Sequence, residues 1–264
     1  MAQQGFEYEE HAMNALKKFG WVKPTAVTAG ASHDKADLYL FHNGQEYGCE
    51  LKKDLASAGS LVIHNLGNGK YDFGDTEGSI EKEFLKGLGK ANNVISAISQ
   101  KWKDKPFLQN TRDDKWILKV KASGKKLRDR YNHDVQLGDI YFPLSSSAIS
   151  KYYNLKKTYY INVATHGFYL LGSSDPAGFN RLVTPKIPSW DSNHTAVLRI
   201  RFQSKGVTKA SAMESQKGFP FTGGQGYQIT MEIQFKSVKK SSYNIAPIIG
   251  KTPMIDEAKI ILPG

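Results

Sequence analysis

Asp37, Glu50 and Lys52 are the residues of this chain whose types and spacing could do chemistry. Twelve residues separate the two carboxylates, and Lys52 follows Glu50 by two. Glu50 and Lys52 sit in Tyr47-Gly48-Cys49-Glu50-Leu51-Lys52, an otherwise apolar stretch. Burying charge there is costly unless it is paired or holds a metal ion. That stretch and Lys35-Ala36-Asp37-Leu38-Tyr39-Leu40-Phe41 read as two strands, joined by the turn His42-Asn43-Gly44-Gln45. Strand faces alternate with a period of two. Glu46, Gly48, Glu50 and Lys52 therefore share one face, and Tyr47, Cys49 and Leu51 share the other. Folding the hairpin back carries Asp37, at the head of the first strand, towards Glu50 near the end of the second. Two carboxylates and an ammonium then converge on one spot.

The pattern Asp37, a twelve-residue gap, then Glu50-Leu51-Lys52 resembles the catalytic signature of the PD-(D/E)XK nuclease superfamily, which includes most type II restriction endonucleases. Where that signature has Pro-Asp, this chain has Ala36-Asp37, a departure that removes no ligand. The resemblance covers about the first 140 residues. It implies an α/β fold with a restriction endonuclease-like core, a mixed sheet flanked by helices, followed here by a β-rich C-terminal half. It also implies Mg²⁺-dependent hydrolysis of DNA, with Mn²⁺ able to substitute.

Hydrolysing a phosphodiester requires an activated water, neutralised phosphoryl oxygens and a stabilised leaving alkoxide, all of which a bound divalent ion can supply. Mg²⁺ prefers oxygen ligands and keeps several waters, so Asp37 and Glu50 fit as its protein ligands. Lys52 fits a role orienting the water and steadying charge in the transition state. Lys53 falls on the opposite strand face. Asp34, three residues before Asp37, is an alternative ligand.

These residues need elements to position them. The stretch from Gly5 to Phe19 predicts a helix with Phe6, Glu9, Met13 and Leu16 on one stripe. In the superfamily, a helix before the Asp strand often donates a glutamate to the metal site, and Glu9 matches that position as an auxiliary ligand. Attraction to the positive helix N-terminus is the competing explanation. After Lys52 a Gly- and Asn-containing loop is expected, then a helical pattern from Ser79, its N-cap, to Trp102, with Gly87 and Gly89 as weak points. Lys115 to Lys121 alternates as a strand. Helix, hairpin, helix, strand is the order of the superfamily's core.

The chain has 264 residues, which suits one large domain or two small ones. We expect a nuclease core over 1–140 and a basic, β-rich DNA-binding half over 141–264, packed together as one globular unit. No run of about 20 apolar residues or leader-like start occurs, so a cytoplasmic protein with no membrane partner is expected. The single cysteine, Cys49, excludes an intrachain disulfide and a Cys-rich zinc site.

The net charge of +11 is unevenly spread. Residues 1–140 hold 21 Lys and Arg against 19 Asp and Glu, whereas 141–264 hold 15 against 6. Such an excess suits contact with a polyanion. Lys125, Lys126, Arg128 and Arg130 form a run suited to phosphate contact. Arg199 and Arg201 share one face of a later strand, opposite Leu198 and Ile200, and suit phosphates or guanine edges. The resemblance to restriction-type enzymes implies sequence-specific cutting of double-stranded DNA by a homodimer, since cutting two strands commonly takes two sites. A structure-specific nuclease such as a junction resolvase, or a non-catalytic DNA-binding protein of the same fold, are the alternatives.

Overall fold

The computed structural model describes residues 2–28, 35–55, 57–67, 70–73, 79–102, 109–110, 116–117, 136–205, 226–245, 248–249 and 252–253. The fold is α/β and divides into two compact units, each assembled from separated stretches of sequence. One comprises Met1–Ala58, Leu144–Ala196 and Gln234–Gly264, the other Gly59–Pro143 and Val197–Ile233.

The first unit is built on a four-stranded sheet of order β1-β2-β8-β9, with β1 Leu38–His42, β2 Gln45–Lys52, β8 Thr158–Val163 and β9 Gly167–Leu170. β1 and β2 are antiparallel, β2 and β8 parallel, β8 and β9 antiparallel, so the sheet is mixed. The helix α1, Ala2–Lys18, buries Tyr8, Ala12, Met13 and Leu16 along one stripe. These residues share a core with Leu38, Leu40, Cys49 and Leu51. The helix α4, Ala148–Leu155, packs against β8 and buries Ile149, Tyr152 and Tyr153. The strands' outer edges are occupied: Phe41 N–H donates to Trp21 O at 2.6 Å, and Leu170 N–H to Pro188 O at 3.1 Å.

The second unit is built on a sheet of order β4-β3-β11-β10-β7. Its strands are β3 Ser57–Gly67, β4 Lys70–Phe73, β7 Ile140–Leu144, β10 His194–Lys205 and β11 Gly226–Val238. Helices α2, Ile80–Gly87, and α3, Ala91–Trp102, bury Phe84, Leu85, Val94 and Ile98.

Two local readings change. The expected helix from Ser79 to Trp102 is two helices, because Gly89 adopts φ +64° and turns the chain between them. Ser79 does cap the first, accepting Lys82 N–H at 3.3 Å. The expected loop after Lys52 contains the antiparallel pair β3 and β4 instead. Of the strand expected over 115–121, Trp116 and Ile117 are described; they form β6, paired with β5, Gln109–Asn110, and the rest lies outside the described residues. The strand that pairs in parallel with β2 is β8, more than a hundred residues downstream of it. A parallel neighbour requires a long crossover, and here most of the second unit and α4 lie within it. The carboxylate-bearing sheet thus draws strands from both sides of residue 140.

Candidate active site

The β1–β2 register pairs Leu38 with Cys49, so Asp37 and Glu50 are the next residues across from one another. Asp37 Oδ2 accepts Leu51 N–H at 2.8 Å, which fixes the aspartate against the second strand. Alternation along β2 sends Cys49 and Leu51 into the α1 core and Glu50 to the face where Tyr153 lies. Glu50 is 1% exposed. Its Oε1 accepts from Lys52 Nζ at 2.6 Å and from Tyr153 OH at 3.4 Å, while its Oε2 accepts from Lys156 Nζ at 3.2 Å. Asp37, Glu50 and Lys52 are brought together.

Lys156 and Tyr153 were not among the residues singled out in the sequence. They come from α4 and the turn that ends it. Lys156 N–H donates to Tyr153 O at 2.9 Å and Lys157 N–H to Asn154 O at 3.0 Å, closing the helix. Lys157 then takes φ +52°, a conformation that few side chains adopt, and the chain enters β8. Gly48 makes room for this turn, since a Cβ there would stand 2.6 Å from Lys157 O. The available signal was a helix-compatible run, Ala148 to Leu155, just before an apolar strand. Nothing in that run marks a lysine at its end as buried.

Glu9 lies on α1, partly buried, and its Oε2 is buried with no hydrogen-bond partner. Burial and then the Asp37 charge push the Glu9 carboxyl up to about 7. Burial and then the Glu50 charge push Asp37 up to about 6. Burial also opposes ionisation of Glu50, but Lys52 and Lys156 outweigh it and hold that carboxyl below its usual range. Burial disfavours the Lys52 ammonium, yet Glu50 and Asp37 overcome this and raise its pKa. The site thus separates one firmly ionised carboxylate from two that hold protons more readily.

The donor chemistry suits a hard cation: three carboxyls, one with an orphaned buried oxygen. Among the described residues no group of three or more His, Cys, Asp or Glu is placed so that it could hold a metal ion. Two carboxylates with waters and substrate oxygens are what Mg²⁺ typically takes.

The other singled-out residues are placed less directly. Phe6's side chain, Asp34, Lys125, Lys126, Arg128 and Arg130 lie outside the described residues. Arg199 and Arg201 do alternate with the buried Leu198 and Ile200 as read. Both guanidiniums, however, meet carboxylates. Arg199 contacts Asp139 at 2.6 Å and Glu232 at 3.7 Å, and Arg201 contacts Glu232 at 3.0 Å. No helix among the described residues is long and apolar enough to cross a membrane.

Comparison with protein-family models, curated proteins and solved structures yields no match to this chain.

Proposed function

We propose that this chain is a metal-dependent DNA endonuclease that hydrolyses phosphodiester bonds. The observation that carries the reading is the convergence of Asp37, buried Glu50 and Lys52 on adjacent strands of a mixed sheet. A purely structural salt bridge has no need of a second, raised carboxyl beside it. Asp37, Glu50 and the auxiliary Glu9 are the residues that would hold Mg²⁺ or Mn²⁺. When bound, such an ion polarises water and neutralises charge on the phosphoryl group.

The protein's own part follows from its hydrogen bonds. Leu51 N–H fixes one Asp37 oxygen, leaving the other for ligation. Burial strengthens every charge interaction in the site. Lys52, the more exposed of the two lysines on Glu50, suits donation to a phosphoryl oxygen and to the attacking water. Double-stranded DNA cut in a sequence-specific manner by a homodimer is the reading we adopt, with the positive charge of the chain supplying phosphate attraction.

The test is nicking of supercoiled plasmid in Mg²⁺ by the purified protein. Conversion to open-circular and linear DNA that EDTA abolishes, and that Asp37→Ala and Glu50→Ala lack, supports the reading. DNA binding without any cleavage in Mg²⁺ or Mn²⁺ overturns it in favour of a binding protein.

A further inference from the structure

One carboxylate, Glu50, is served by two ammoniums, and one alone would neutralise it. Lys52 Nζ stands 2.6 Å from Oε1 and Lys156 Nζ 3.2 Å from Oε2, and they differ in setting. Lys52 lies on the strand, and its side chain is 18% exposed. The Lys156 side chain is 6% exposed, its Nζ also lies 5.6 Å from the Tyr153 ring centroid, and its backbone is fixed by the closing turn of α4. A buried ammonium is destabilising unless firmly paired, so Lys156 is committed to Glu50.

We propose that Lys156 is a positioning residue of this site: its ammonium anchors Glu50 through Oε2, turns Oε1 towards the reaction centre, and frees the Lys52 ammonium for the substrate phosphate. The proposal rests on the endonuclease reading above. With Lys156 in place, Glu50 keeps a counter-ion and a fixed orientation when Lys52 swings away. Without it, Lys52 is the only ammonium left on Glu50, and its departure strands a buried carboxylate. Lys156 also competes electrostatically with any divalent ion at the carboxylates, so its charge weakens cation binding while improving turnover. A residue that merely held the fold together would not show that opposition.

The experiment compares wild type with Lys156→Met, Lys156→Gln and Lys156→Arg. Mn²⁺ binding is read by electron paramagnetic resonance, DNA binding in Ca²⁺, and steady-state plasmid cleavage in Mg²⁺. For Met and Gln we expect Mn²⁺ binding about tenfold tighter or more and kcat lowered about tenfold or more, with KM for DNA within about twofold of wild type. Lys156→Arg, which keeps the charge, should return Mn²⁺ affinity towards wild type. Weaker Mn²⁺ binding with a lowered melting temperature in both neutral variants would assign Lys156 a structural role and overturn the proposal. So would unchanged kcat in a wild type that cleaves. A wild type that neither binds Mn²⁺ nor cleaves DNA overturns both this proposal and the endonuclease reading.

Discussion

The Asp37 carboxylate accepts the Leu51 backbone N–H at 2.8 Å, tying the head of one strand to the residue beside Glu50. One carboxyl group therefore serves the hairpin and the chemistry together. Its two duties separate by substitution. Asp37→Asn retains an acceptor for Leu51 N–H but removes the charge, whereas Asp37→Ala leaves a buried donor unpaired, at about 1–3 kcal/mol. Both variants are expected to lose cleavage. Only the alanine should also lose stability on that scale, read as the urea midpoint of metal-free protein. Near-wild-type cleavage by folded Asp37→Asn would remove Asp37 from the ligand set.

Lys52 and Lys53 are neighbours with different expected duties. Lys52→Ala should lower the cleavage rate by orders of magnitude while leaving the fold intact, because Lys156 still pairs Glu50. Lys53→Ala should change the rate by no more than a few-fold. Single-turnover cleavage at saturating Mg²⁺ decides between them, and equal losses would contradict the assignment of Lys52.

The raised carboxyls carry a pH dependence with a definite sign. Glu9 and Asp37 bind protons more tightly in the fold, with values of about 7 and about 6, than at ordinary carboxyl values. The native state thus holds more protons than the unfolded chain between about pH 4 and pH 7. The stability these groups contribute is full below their unfolded values and is lost as pH rises through the folded ones. Metal-free protein should therefore lose stability to this effect between about pH 4 and pH 7, with the loss complete above pH 7, and Mg²⁺ should restore part of it by binding the native state. Glu9→Gln should flatten the profile and stabilise metal-free protein at pH 8. Allowing for solvent screening at this partly exposed group, the gain is of order 1 kcal/mol. Denaturant midpoints from pH 5 to pH 8 measure this, and a Glu9→Gln profile parallel to wild type would exclude it.

The hairpin was legible because its information is local. Alternation placed Glu50 and Lys52 opposite Cys49 and Leu51, and the turn brought Asp37 across. The β-rich character expected of residues 141–264 was likewise legible, and β8, β9, β10 and β11 lie there. The split after Gly87 was visible only as a weakness, since a positive φ at Gly89 depends on how the flanking helices pack. The helix α4 was missed because Ala148–Leu155 is a short run of eight residues, flanked by strands. The parallel partner of β2 was illegible for a deeper reason. Parallel pairing is chosen by long-range packing, and nothing within β2 names the strand that will lie beside it. Lys156 followed the same rule, since it meets Glu50 across more than a hundred residues of sequence.

Arg199 and Arg201 show how pairing changes a reading based on charge. On an alternating strand they stand as two cations, but in the fold they meet Asp139 and Glu232. These four side chains sum to zero charge. A guanidinium already held by a carboxylate must leave it, or share it, to take a phosphate, so little counter-ion release is gained. The Arg199→Ala/Arg201→Ala double variant should therefore change the log–log salt slope of DNA binding by less than one unit. Two phosphate contacts would instead remove about two. Its stability should fall, because Asp139 and Glu232 lose the cations that face them. Binding in Ca²⁺ across a salt series, on random and on cleaved sequences, measures the slope. A drop near two would return these arginines to the phosphate surface. A smaller one would leave the positive excess of residues 141–264 to other lysines and arginines.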